Sequence, residues 1–402
     1  MAGGDIAPVE PVVEVEAPAP SGWTFTGQGV VYYQTADTWG AGAANPDNLF
    51  SQESSSANAG VSLKAENKDI IGGLGAGVKL VGVGTLGLEE DVVSNVLETA
   101  DGTLNGGAIT ELYLTYGIGN TLVKVGRQEL PKALSPLAFS ESWNVFANTY
   151  EAALVVNSDI PNTTLVGAWV RSANSQADLG DFNKLNNSDG VFMLTGAYAT
   201  DAFNVTGTGY YAQDFAVNDL YAAWVDAGFN ISDFNIGAQA GYISDISDVD
   251  NTYALGAKFS GTFDPVTVGA AVTWVNDGDT GVINLGGGRA VDSWSTIFGD
   301  NALYTTSPLG SNVMFNSSDA TSVLAKVGVD LPVGHLCVIA DYSSIGNNSV
   351  RISEGDFYEG AIAYNVVLGD LDLTAGYVYQ NVDIASVDDD TNVIRVVARY
   401  NF

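Results

Sequence analysis

Along most of this chain apolar and polar positions alternate with a period of two. In the stretch TNVIRVVARYNF, Ile394, Val396, Ala398, Tyr400 and Phe402 take one parity, and Arg395, Val397, Arg399 and Asn401 take the other. A β-strand sends successive side chains to opposite faces. One face here is therefore aliphatic and aromatic, while the other carries two guanidinium groups and an amide. Such a strand needs an apolar solvent on one side and water on the other.

The same texture recurs. In VTVGAAVTWV, Val266, Val268, Ala270, Val272 and Trp274 oppose Thr267, Gly269, Ala271 and Thr273. In LDLTAGYVYQ, Leu371, Leu373, Ala375, Tyr377 and Tyr379 oppose Asp372, Thr374, Gly376 and Gln380. In YEGAIAYNVV, Tyr358, Ile362, Tyr364 and Val366 oppose Glu359 and Asn365. From 23–34 to 391–402 the pattern predicts about eighteen strands, each near the length a tilted strand needs to cross a bilayer. The alternative face is small and polar, which suits a water-filled lumen better than a packed interior.

The connections sort themselves as well. Segments 117–120, 158–162, 200–202, 230–233, 263–265, 332–335 and 368–370 read as tight turns. Between them lie long connections at 34–56, 89–108, 129–148, 174–189 and 277–320. Alternating short and long connections are expected of a transmembrane antiparallel β-barrel, which has short turns at one mouth and long loops at the other. Residues 23–402 are assigned to that barrel. Residues 1–22, rich in Pro, Val and Glu without a period, read as an acidic extended or disordered arm. The opening MAGGDIAPVEP has no basic leader and no apolar core, so a mature, processed chain is the expectation. Aromatics at strand ends, Tyr211, Tyr242, Trp274, Tyr377, Tyr379 and Tyr400, fall on the apolar parity and are candidates for interfacial girdles.

Charge narrows the function. Fourteen basic residues against forty-seven acidic ones give a net charge of −33. A polyanion of this kind repels nucleic acid and favours cations or polar solutes. The chain has one histidine, His335, and one cysteine, Cys337. A catalytic or metal site needing two histidines is excluded, and neither residue has a recognisable catalytic neighbour, so no enzyme is expected. Nine basic residues sit inside predicted strands: Lys64, Lys79, Lys124, Arg127, Arg171, Lys258, Lys326, Arg395 and Arg399. A Lys or Arg on the lipid face near the midplane costs ~2–4 kcal/mol, so most of these should face the lumen. Lys258, Lys326, Glu359, Arg395 and Arg399 are accordingly assigned to the lumen wall.

The segment VKVGRQELPKALSPLAFSESWNVFANTYEAAL stands apart. Pro131 and Pro136 break pairing, and Leu134, Leu137, Phe139, Trp143 and Phe146 make the connection near 129–148 too apolar for solvent. It is expected to fold inward, pack on the wall and narrow the pore. This segment, the strand layout and the terminal RVVARYNF resemble the major outer membrane porins of campylobacteria and their relatives. The resemblance covers most of the chain after residue 22. It implies a homotrimeric general-diffusion porin in the bacterial outer membrane, surrounded by lipid and lipopolysaccharide and passing small hydrophilic solutes. It also implies that Phe402 is read by the barrel-assembly machinery, and that Ca2+ is a candidate lumen ligand although no cofactor is required.

Carried over position by position, the resemblance nominates Lys124, Arg127, Glu129, Lys132, Ser140 and Glu141 for the constriction. Strict alternation from Val123 and Val125 aims Arg127 at lipid, unless Gly126 hosts a bulge that re-aims it. The functional expectation is a passive channel with a modest cation preference. The alternative is a surface-exposed structural β protein or adhesin without channel activity, although neither repeats nor apolar interiors are evident in the sequence.

Overall fold

The computed structural model describes residues 22–37, 48–141, 144–175, 177–246, 250–278, 280–284, 300–307, 315–346, 354–384 and 387–402. The acidic arm lies, apart from Gly22, outside the described residues. Nineteen strands follow one another along the described chain. The first ten are β1 (Thr24–Ala36), β2 (Ser55–Ile71), β3 (Leu74–Gly84), β4 (Gly106–Ile118), β5 (Thr121–Gln128), β6 (Tyr150–Asn157), β7 (Thr163–Asn174), β8 (Phe182–Lys184), β9 (Val191–Ala199) and β10 (Phe203–Ala212). The rest are β11 (Leu220–Ile231), β12 (Phe234–Ile243), β13 (Thr252–Phe263), β14 (Val266–Val275), β15 (Ala320–Asp330), β16 (His335–Ile345), β17 (Gly355–Leu368), β18 (Leu371–Ile384) and β19 (Val387–Asn401).

Every pairing between these strands is antiparallel, and β1 pairs with both β2 and β19, so the sheet closes on itself. The short β8 pairs only with β7, which leaves eighteen strands in the ring. Closure removes the edges that an open sheet would expose. No described helix is long and apolar enough to cross a membrane; the crossing elements are strands.

The two faces divide by solvent preference. On β14, Val272 and Trp274 are each 44% exposed outward, while Thr273 and Val275 are 1% exposed inward. Outward apolar side chains continue around the ring, among them Leu112, Val155, Leu194, Leu255, Val338 and Ile362. In water this continuous apolar band would be unfavourable at about 25 cal/mol per Å2; against hydrocarbon it is stabilising. Aromatic pairs mark both rims of the band. At the short-turn end Phe203 meets Phe229 at 4.8 Å, Phe234 meets Phe259 at 5.6 Å and Tyr400 meets Phe402 at 6.1 Å. At the long-loop end the pairs are Tyr211–Tyr221, Tyr242–Tyr253 and Tyr342–Tyr358. Tyr342 and Tyr379 donate to Asp356 (2.6 Å) and Asp390 (2.7 Å). Of the predicted girdle residues, Tyr400 thus belongs to the short-turn rim and Tyr211, Tyr242 and Tyr379 to the long-loop rim.

The seam is tied by the terminal residue. Gly27 N–H donates to Phe402 O at 2.6 Å, and Phe402 N–H donates to Gly27 O at 2.9 Å. The Phe402 ring lies over Gly27, where a Cβ would come within 2.3 Å of it, so only glycine admits this approach.

One expectation needs correction. The inner face is not uniformly small and polar. From β6 to β11 it is strongly apolar, with Val166, Val170, Met193, Leu220 and Trp224 all buried. These side chains are inward and yet dry, because loops fold down upon them.

Candidate functional site

The connection between β5 and β6, residues 129–149, enters the barrel. Pro131 and Pro136 deny it a ladder, and its apolar residues Leu130, Leu134, Leu137 and Ala138 join one core with the inner faces of β6 to β12. Polar ties set its position. Thr195 on β9 donates to Leu134 O (2.7 Å), and Leu137 N–H donates to Tyr210 Oη on β10 (3.1 Å). Tyr150 Oη donates to Phe139 O (2.8 Å). The far end of the same loop is held by β19. Arg399 Nη1 donates to Val145 O at 2.8 Å and Nη2 to Asn144 O at 2.5 Å. In the closed strand order β10 and β19 stand opposite one another, so the loop crosses the lumen.

Two further loops meet it. From the β14–β15 connection, Asn284 accepts from Phe139 N–H (2.9 Å) and donates to Phe139 O (2.8 Å) and to Glu141 Oε1 (2.6 Å). Asp300 N–H donates to Glu141 Oε2 (3.0 Å), and the Asp300 carboxylate pairs with Lys132 (2.7 Å). Leu303 and Val282 of that connection enter the same core, and Tyr304 lies under Lys258 at 4.2 Å. From the β3–β4 connection, Glu98 accepts from Phe146 N–H at 3.1 and 3.2 Å. Burial holds the Glu98 carboxyl well above the usual carboxylate range, against the opposing pull of the Phe146 N–H, Arg399 and Lys79.

Beside the crossing loop the wall is charged instead of apolar. In register across β2, β3 and β4, Lys64 faces Lys79 and Lys79 faces Glu111. Lys64 pairs with Glu111 at 3.0 Å, and Lys79 with Glu111 at 3.8 Å and Glu129 at 2.9 Å. Tyr113 adds a ring beneath Lys124 (3.8 Å) and Lys64 (5.7 Å) while its hydroxyl donates to Glu66. Cations and anions alternate here within a few ångströms, giving a strong local field on a wall that water reaches.

The nominated residues fall into three groups. Lys124 and Glu129 join this charged wall. Lys132, Ser140 and Glu141 hold the crossing loop: Lys132 and Glu141 tie it to the β14–β15 connection, and Ser140 Oγ accepts from Leu130 N–H (3.0 Å). Arg127 is on the outside, a correction to its nomination. The register of β4 with β5 runs unbroken through Gly126, and Arg127 sits opposite the outward Leu112. Gly126 is at φ 132, but a Cβ there would lie 2.1 Å from Leu112 O, so the glycine serves a close approach and not a bulge.

Of the lumen-wall assignments, Lys258, Lys326, Glu359, Arg395 and Arg399 all share a parity with buried inner residues. Glu359 accepts from Gln380 (2.7 Å), and Arg395 donates to Gln34 (3.1 Å). Arg399 grips the crossing loop. Lys64, Lys79, Glu111 and Tyr113 were not singled out as one site by sequence, although their inward parity was readable. Trp143 lies outside the described residues. Among the described residues no group of three His, Cys, Asp or Glu side chains is placed to hold a metal ion.

This arrangement, a closed apolar-coated ring with loops folded into its lumen, is that of a transmembrane β-barrel. Residues 213–402 match the family model for Gram-negative porins. No curated protein matches the chain in sequence. Among solved structures, Pseudomonas aeruginosa OpdK, solved with vanillate, is similar over 94% of this chain and 98% of its own, with 14% identity and a TM-score of 0.73. Pseudomonas aeruginosa OpdO shows 16% identity and a TM-score of 0.71 over 94% of this chain and 97% of its own. Acinetobacter baumannii OccAB3 shows 15% identity and a TM-score of 0.71 over 94% and 99%. Fold and family match are those of outer-membrane channels, and the apolar belt suits that membrane. The short turns correspond to the periplasmic mouth and the long loops to the outer one.

Proposed function

We propose that the protein is a passive diffusion channel for ions and small hydrophilic solutes, with a modest cation preference from its acidic loops. The observation that supports this most is the lumen itself: a loop braced across it by apolar contacts, beside a wall of paired charges open to water. Stepwise conductance of the purified protein in planar bilayers tests the reading. A folded, inserted sample without conductance would overturn it in favour of a structural or adhesive surface protein. Under a KCl gradient the reversal potential should carry the cation sign.

The finer parts of the reading follow the resemblance to the campylobacterial major porins. They are a homotrimer, constriction by the 129–149 loop, Phe402 as the signal for the barrel-assembly machinery, and Ca2+ as an optional lumen ligand. Heat-modifiable, high-mass migration in detergent tests the trimer, and Phe402→Ala tests the assembly signal through the yield of inserted barrel. OpdK was solved with vanillate and OccK2 with glucuronate; solutes of that size are the class to try first in liposome-swelling assays.

A further inference from the structure

The outward position of Arg127 leads to a site that the channel function does not use. Arg127 on β5, Glu151 on β6, Ser172 on β7 and Lys184 on β8 form one row in register across four strands. The row lies at the outer end of these strands. Arg127 Nε donates to Glu151 Oε1 (2.9 Å), Nη1 donates to Ile109 O (3.1 Å), and the guanidinium lies 4.0 Å from the Phe182 ring centre. Ser172 Oγ donates to the other Glu151 oxygen at 2.6 Å. The guanidinium plane is thereby fixed, with only part of its five-donor fork engaged.

A bulge completes the row. On β7, Val170 faces Ala152 and Ser172 faces Glu151, which leaves Arg171 as the extra residue between them. Without it Ser172 would share the inward parity of Val170; with it Ser172 meets Glu151 on the outer face, and Arg171 stands exposed beside them. Arg127 and Arg171 thus stand beside one carboxylate, Lys184 follows in the row opposite Ser172, and Asp181 and Asp189 lie on either side of β8. Directly below, Trp169 donates from Nε1 to Asp189 O (2.8 Å) at interfacial depth. Beside and beneath it the outward wall is apolar, with Leu112, Val125 and Phe192 alongside and Val155 and Leu194 below, all exposed.

We propose that this row binds the phosphorylated headgroup of an outer-leaflet glycolipid, its phosphate on Arg127, Arg171 and Lys184 and its acyl chains along the apolar wall below. Two features favour that occupant. The outer rim carries acids, with Asp219, Asp356 and Asp390 accepting from its tyrosines, so an anionic headgroup is drawn to this stretch, where Arg127, Arg171 and Lys184 stand together. A fixed guanidinium with spare donors also suits a phosphate, which takes paired N–H bonds. The site rests on the outer-membrane orientation proposed above, but its test is separate: conductance can persist whether or not lipid is held here.

The test uses the full chain in detergent micelles, with bisphosphorylated lipid A as probe and retained lipid read by native mass spectrometry. The variant carries Arg127→Gln, Arg171→Gln and Lys184→Gln, and heat-modifiable mobility checks that it folds. The wild-type barrel should retain the probe, and the variant should retain it at least about tenfold more weakly, as loss of charge-assisted bonds implies. Lipid A stripped of both phosphates should bind the two barrels equally weakly. Equal retention of the phosphorylated probe by both would overturn the proposal. So would unchanged retention with loss of the oligomer, because the row would then be a contact between copies of this chain.

Discussion

From β6 to β11 the inner wall is apolar and buried under a loop, whereas on β2 to β5, around Lys64, Lys79, Glu111 and Lys124, it is charged and keeps water beside it. The two arcs belong to one ring and obey one alternation, yet they do different work. Where Val166, Met193, Leu220 and Trp224 point inward, the 129–149 loop gains dry contact that fixes it. Where Lys64, Lys79, Glu111 and Lys124 point inward, an apolar segment could not settle without stranding charges, and the loop meets that patch with a charge of its own, Glu129 on Lys79. Side-chain polarity on the inner face therefore decides where a lumen loop lands and which part of the cross-section stays wet.

The largest change should come from unmaking the apolar arc. Leu134→Ala with Leu137→Ala removes two buried side chains, each worth about 2–5 kcal/mol when truncated, and should free the loop from β9 and β10. Single-channel conductance should then rise severalfold while the folded barrel survives; unchanged conductance would mean the loop does not narrow the pore. Next comes the join between loops. Glu141→Ala removes one acceptor of the Asn284 amide and the acceptor of the Asp300 N–H, at about 1–3 kcal/mol each, and should appear as frequent sub-conductance flicker.

On the charged arc, Glu111→Gln takes the shared anion from Lys64 and Lys79. The reversal potential under a KCl gradient should move toward anions with little change in conductance, and no movement would show that these lysines lie off the ion path. A subtler effect concerns pH. The raised Glu98 carboxyl favours its neutral form in the folded state, so its contribution to the loop junction is full below the ordinary carboxylate range and is lost as pH rises through the raised value. Amide exchange at Phe146 should quicken as pH rises beyond its intrinsic base dependence, and Glu98→Gln should abolish that excess. Smallest of all, Lys132→Gln breaks a partly exposed ion pair with Asp300 and should cost no more than about 1 kcal/mol, measured by thermal unfolding.

Much of the ring was legible because period-two alternation acts strand by strand. All eighteen strands of the ring fall on segments that alternation marks, and the inward side of Thr273, Glu359 and Gln380 follows from parity alone. Parity likewise placed Arg127 outward against its nomination by resemblance. What could not be read depends on partners far away in the chain. The ties from Asn284 and Asp300 to Glu141 span 143 and 159 residues, and nothing local to either segment announces them. Trp224 and Leu220 are apolar on a strand whose other face, with Tyr221 and Val225, is also apolar, so no contrast reveals that their side is covered. The bulge at Arg171 leaves no mark either, since one extra residue in a strand is invisible until its neighbour's register is known.

The crossing loop has a mechanical consequence. A thin-walled cylinder ovalises easily under sideways load, because bending its wall stretches no bond. A member anchored at β10 on one side and at β19 on the other works as a strut and resists that flattening along its own line. Squeezing by the surrounding bilayer would therefore deform the ring mainly at right angles to the strut, and the aperture would respond to lateral pressure in one direction far more than in the other.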